Sequence, residues 1–334
     1  MNQVNRKQGN TIMKGLPIAM LISLSFSSLS AMAGQKVDQT MRVDSDAYID
    51  IEHMNGSAIV KGWDKDEVQV RGELSDRAEE FIFESNGNRV EIRVEMQRSS
   101  YKKGNWGSWG SGEGDDLTIY VPHSSRINYN SINASFDGED LHGGLGVEVI
   151  NGTVSVNDIT GRIRLESVNG NIEARKVSGD VRIETVNGSI EGQHSGKGEI
   201  GFESVNGDIR ISSDSSEIRA ETVNGDLELE LQEVDELDLT SVNGSIEVSM
   251  DLQPSGDVRI STVGGSVDLM FQKGVSARFD IEGHAGGRFV NRLTDDKMQK
   301  AKYGPRRWLE FTTGKGSAKV EVSTVNGRVE LDSK

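Results

Sequence analysis

The chain of 334 residues has no cysteine, only four prolines and 5% aromatic residues. Without cysteine there is no disulfide and no thiol on which a lipoprotein anchor could be built. Few aromatics beside 39 glycines fit an all-β array rich in turns better than a helical enzyme. Motifs that announce catalysis are missing as well. There is no Gly-x-Ser-x-Gly elbow and no phosphate-cradling Gly-Lys-Ser/Thr, and His53, His123, His142, His194 and His284 share no metal-ligand spacing. The apolar run from Leu16 to Leu29 is broken by Pro17 and several serines, which leaves it too weak for a transmembrane span.

That run has another reading. Lys14 precedes it and Ala31-Met32-Ala33 follows it, giving the basic start, apolar middle and small-residue cleavage site of a secretory signal peptide. Residues 1–33 are therefore expected to be removed after Ala33, with Met1 or Met13 as the start, and the protein to be exported to the periplasm or the cell surface. The net charge of −16 becomes −19 once Arg6, Lys7 and Lys14 are gone, since the segment holds no acidic residue. So acidic a chain repels nucleic acid and anionic membranes.

What the chain does have is a short repeat. The string [Ser/Thr]-Val-Asn-Gly stands at Ser167-Val168-Asn169-Gly170, Thr185-Val186-Asn187-Gly188, Ser204-Val205-Asn206-Gly207, Thr222-Val223-Asn224-Gly225 and Ser241-Val242-Asn243-Gly244. Weaker copies flank these at Asn133, Asn151 and Gly264, and the successive intervals are 18, 18, 18, 19, 18, 19 and 21 residues. Six and four residues before the Asn, and three after it, every copy is apolar, as in Val181, Ile183 and Ile190, with polar residues between. This alternation is that of β-strands, two in each period. A unit so small cannot bury its own inward face, so neighbouring copies must cover it. Asn-Gly is also a hairpin signal, but like residues recurring at one period require parallel, in-register stacking. The fold expected is an all-β solenoid with coils of 18–19 residues.

In that register Asn151, Asn169, Asn187, Asn206, Asn224 and Asn243 form a column, and Asn326 in the terminal copy Thr324-Val325-Asn326-Gly327 occupies the same place. Asn tolerates a left-handed turn, and stacked amides can hydrogen-bond as a ladder. These residues and the Ser/Thr column are assigned to scaffold. Three residues before the Asn stand Glu148, Glu166, Glu184, Glu203 and Glu221, beside Arg164, Arg182 and Arg219. A weak salt-bridged lattice is the expectation. Because Gly146 and Gly201 replace Arg, Glu148 and Glu203 are the candidates for a hard cation such as Ca²⁺.

The flanks are less regular. Residues 34–124 read as strands that close the first coil of an array spanning 125–270, because an open edge would recruit other chains. Within them Tyr101, Trp106 and Trp109 sit in a Gly/Ser-rich stretch, where a ring can stack on a sugar or anchor a partner. Residues 271–334 read as irregular coils, about three of them, with a terminal repeat coil and a basic excursion. In it, 294–302 has the charge order of a short helix and is followed by Arg306, Arg307 and Trp308, a candidate contact patch.

The Val-Asn-Gly-Asp-Ile string at 205–209, Val121-Pro122 and the closing Thr324-Val325-Asn326-Gly327-Arg328-Val329-Glu330-Leu331 resemble the bacterial putative-adhesin family of exported β-strand-repeat proteins, over about 45–332. The resemblance implies a β-solenoid without catalytic residues or cofactor, and a cell-envelope protein or glycan as partner. A periplasmic scaffold or sensor component linked to envelope stress is the alternative it carries. Uniform coils leave no loops for the cleft of a polysaccharide-active enzyme, so that reading comes third.

Overall fold

The computed structural model describes residues 34–96 and 114–334, and among them no helix occurs. Chain from Leu145 onward winds into coils of two strands each. Leu145–Asn151, Ile163–Asn169, Val181–Asn187, Glu199–Asn206 and Glu217–Asn224 lie side by side as one parallel face. Val154–Thr160, Ile172–Ser178, Ile190–His194 and Ile209–Ser213 form a second. Register is kept by identity of position: Ile163 faces Val181, Leu165 faces Ile183, and Asn169 faces Asn187.

The inward columns form the core between the two faces. Leu165, Ile183, Phe202, Ala220 and Leu239 are all essentially inaccessible. Each large aliphatic side chain so buried contributes roughly 1.5–3 kcal/mol. Size is balanced between coils, since the Phe202 ring has Ala220 beside it in the next strand and Gly192 across from it on the other face.

At the corner between the faces, amides stack. Each Asn Nδ2 donates to the Oδ1 of the preceding coil from Asn133 on Asn55 through Asn151, Asn169, Asn187, Asn206, Asn224 and Asn243, at 2.8–3.1 Å. The left-handed conformation anticipated for this column is absent: among the described residues, the non-glycine residues with positive φ are Asp140, Asp158 and Lys176. Asn is thus used for its amide and not for its backbone freedom. Gly follows it for a different reason again, because a Cβ on Gly170, Gly188, Gly225 or Gly244 would overlap the carbonyl oxygen of the coil below. Asn326 stands over Gly264, which has no amide, so the ladder ends at Asn243.

The two ends are not stacked in chain order. The coil Tyr48–Trp63 lies between Arg126–Leu141 on one side and, on the other, Arg89–Met96 with Asp115–Pro122. Beyond these the pairing turns antiparallel, through Ala78–Asn86, Glu67–Leu74 and finally Gln35–Arg42, a mostly exposed strand carrying Lys36, Asp38 and Arg42. At the far end Ala318–Ser333 enters between residues 257–271 and the pair Ala277–Gly283 and Arg288–Asn291. The interval from Gly264 to Asn326 therefore does not hold three consecutive coils; it holds an outer coil and an antiparallel cover, Arg307–Thr312 with Gln299–Lys300. Nor is 294–302 a helix. The Asn291 Oδ1 accepts from the backbone N–H groups of Leu293 and Thr294, and Thr294 Oγ1 donates to Asp296, local bonds that compete with helix formation.

A buried polar cluster joins the first coils. His53 and Asp115 are both sealed from solvent, with His53 Nε2 3.4 Å from Asp115 Oδ2 and His53 Nδ1 3.2 Å from the Tyr129 hydroxyl. The Ser75 N–H donates to Asp115 Oδ1 at 2.6 Å. Burial pushes the Asp115 carboxyl up, but the adjacent His53 and the hydrogen bond from Ser75 outweigh this and hold it below the ordinary 3.8. Burial likewise raises the Tyr129 hydroxyl.

Two outcomes follow. Ile183→Asp places an unpaired carboxylate in the core and is expected to cost several kcal/mol, read as a large fall in unfolding temperature; an unchanged melt would mean the column does not face inward. Because Asp115 is depressed in the folded state, the stability it contributes is present above 3.8 and is lost as pH falls through the lower, folded value. Asp115→Asn is expected to destabilise the protein by about 2–3 kcal/mol at neutral pH and to flatten the acid limb of a stability–pH curve.

Candidate functional site

Strand alternation continues through the repeat motif with its polarity reversed. The Ser/Thr position points inward: Ser167, Thr185, Ser204 and Thr222 are buried, and their hydroxyls donate to Gly152, Gly170, Gly188 and Gly207 carbonyls at 3.2–3.4 Å. The Val position points out. Met54, Ile150, Val168, Val186, Val205, Val223, Val263 and Val325 are exposed, with 40% of Val186 and 41% of Val205 open to solvent, and Ile132 and Val242 continue the line half-buried. In a stack each of these lies over its copy, so the result is one continuous aliphatic stripe.

The stripe floors a groove of about 780 Å³ that runs from Glu52 to Val242. One wall is the Glu row, from Glu148 through Glu221; on the other side the stripe borders the Asn ladder. The acid row is largely answered. Arg164 bonds Glu166, Arg182 bonds Glu184, and Arg219 Nε donates to Glu221 at 2.8 Å. Arg182 Nη2 also reaches Glu203 at 2.7 Å. The amides of the ladder are consumed by one another. What the groove leaves unpartnered is its aliphatic floor.

This places the residues singled out from sequence differently from expectation. Glu203 is compensated by Arg182 from the coil below, across the gap left at Gly201. Glu148 has no ion pair among the described residues, and it lies three coils from Glu203, about 14 Å at the spacing of β-strands. The basic patch is engaged internally: Arg306 pairs with Glu282 and lies over the Trp308 ring at 5.7 Å, Arg307 donates to the Gly287 carbonyl, and Trp308 is half-buried. Tyr101, Trp106 and Trp109 lie outside the described residues. Gly114, which follows them, packs on Gly56 in the corner next to Met54.

The stripe itself escaped the reading of the sequence although it is part of the repeat motif. Counting alternation through the last two positions, where Val follows Ser/Thr, would have exposed an apolar residue on the outward face in every coil. His123 and His142 were also passed over by spacing rules, because a solenoid brings together residues a whole coil apart in sequence.

No functionally curated protein matches the chain. Among solved structures, a putative cell adhesion protein from Clostridium sporogenes is 10% identical, with 90% of this chain and 100% of the other covered and a TM-score of 0.22. A putative lipid binding protein from Parabacteroides distasonis is 10% identical at 89% and 97% coverage, TM-score 0.38, and a putative adhesin from Bacteroides fragilis is 12% identical at 89% and 97%, TM-score 0.34. At such scores the likeness carries nothing about ligands. A family model does match, across residues 47–332, which is nearly all of the described solenoid: the chain belongs to the Toastrack DUF4097 family.

Proposed function

We propose that this protein is an exported, non-enzymatic solenoid that binds a partner in the cell envelope along its aliphatic stripe. The observation that carries the reading is the outward Val column, repeated in register where a solvated strand face would hold polar residues. Monomeric proteins seldom leave a contiguous apolar surface uncovered without using it. Its chemistry favours a protein partner over a glycan, since sugars are held by aromatic faces and hydrogen-bonding side chains, and the floor here is aliphatic with its flanking polar groups largely paired.

The absence of a role in catalysis is part of this reading. The groove hydroxyls are turned inward onto carbonyls, and the cluster with paired acid and base groups, Tyr129, His53 and Asp115, is closed to substrate. Export rests on the leader-like segment ending at Ala33.

The reading is tested by replacing Val168, Val186 and Val205 together with Lys. Each site is exposed, so each change is expected to alter stability by no more than about 0.5 kcal/mol. Purified wild-type protein is expected to co-sediment with envelope fractions of the producing cells, and the triple variant to lose that retention at least tenfold. Equal retention of the two proteins would remove the stripe as the contact surface.

A further inference from the structure

At the far end of the second face the chain leaves Asp115–Pro122 and crosses to Arg126–Leu141, passing the coil Tyr48–Trp63 that lies between them. His123 is on that crossing. Asp140 and His142 are at the end of the coil it reaches, and Asp64 is at the end of the coil it passes. The His142 N–H donates to the His123 carbonyl at 2.7 Å, which fixes the two residues side by side, and their rings stack with centroids 5.4 Å apart.

Three donor groups converge here. Asp140 Oδ1 is 3.4 Å from His123 Nδ1 and 3.0 Å from His142 Nε2, and one ligand atom from each residue lies within 4.8 Å of the others. Bond lengths of 2.0–2.2 Å in a tetrahedral zinc site give ligand–ligand edges of about 3.3 Å, so two of the three edges already have the size required. Behind the His123 ring, Asp64 Oδ1 stands 3.4 Å from Nε2, the place of the carboxylate that orients a ligating imidazole. Gly62 permits the approach, because a Cβ there would overlap both the Asp140 carbonyl oxygen and His123 Nδ1.

We propose that His123, Asp140 and His142 bind a divalent transition metal of the zinc class, with Asp64 as the outer partner of His123 and water completing the shell. Two imidazoles and one carboxylate suit zinc and its neighbours, whereas calcium and magnesium prefer all-oxygen shells. The position of Nδ1, 3.0 Å from the Asp140 carbonyl oxygen, makes it the protonated nitrogen in the metal-free ring. On binding, that proton moves to Nε2, where Asp64 receives its hydrogen bond, and the Nδ1 lone pair is freed for the ion. Such an ion would tie the crossing to the coil beyond it and so hold the intervening coil in place.

Protein without a histidine tag, stripped with chelator, would be titrated with Zn(II) by calorimetry and melted with Zn(II), Ca(II) or Mg(II). Saturable binding of one equivalent is expected, with an unfolding temperature raised by Zn(II) and unmoved by the other two ions. His142→Gln and Asp140→Asn, both at partly exposed positions, are expected to melt like wild type without metal and to bind at least tenfold more weakly, while the remote His284→Gln binds normally. His123→Gln serves as an independent variant should either of the first two fail to fold. Absence of one-to-one binding to wild type overturns the proposal, as does undiminished binding by a folded His123→Gln or His142→Gln variant.

Discussion

Every side chain in the regular coils must coexist with its counterpart about 4.8 Å above and below. Parallel in-register stacking of coils imposes this, and it decides which residue types can fill a column. Aliphatic groups stack without penalty, so they line the interior. An amide is complementary to itself, donor toward one neighbour and acceptor toward the other, which is why Asn can repeat from Asn55 to Asn243. A carboxylate is not, and the Glu row is accommodated because Arg164, Arg182 and Arg219 are interleaved with it. Glycine is needed where the backbones themselves come closest, after the ladder residue.

Much of this was legible in the sequence, since a column of identical residues at a constant interval is itself a statement about register. The inward columns, the parallel stacking and the pairing of Glu with Arg come directly from the interval. Three things did not. The amide ladder was foreseen, but the left-handed backbone expected of its Asn residues is not used, and the close approach of backbones that requires the following Gly was not visible in the sequence. The order of the end coils was hidden, since a strand such as Ala318–Ser333 has the same pattern whether it lies outermost or one place in. The compensation of Glu203 was hidden as well, because Arg182 reaches it from the neighbouring coil and sequence offsets within one coil do not show such diagonals.

The candidate surface was written in the motif itself and still overlooked, for a physical reason. Valine is so strongly associated with burial in strands that a Val in every repeat reads as core, and the buried hydroxyl beside it reads as surface. The exchange works because the inward Ser or Thr near the corner finds a glycine carbonyl to satisfy it. A stripe made in this way has nearly the same chemistry at each coil, so a partner lying along it gains contact area by length, while discrimination must come from the ends, where Met54 breaks the run of β-branched side chains.

The insertion of the last strand has a consequence for how the chain is made. Residues 257–271 and Ala277–Gly283 are synthesised first, yet they are not strand neighbours; each pairs with Ala318–Ser333, which lies between them. Until that strand is made each presents an open parallel edge, the surface most prone to recruit other chains. A polypeptide that lacked Ala318–Ser333 would not form a solenoid shorter by one rung; it would leave a slot in the stack. The sixteen residues of Ala318–Ser333 therefore fill an interior place in the stack, and the strand Ala277–Gly283 gains its parallel neighbour only once they have been made.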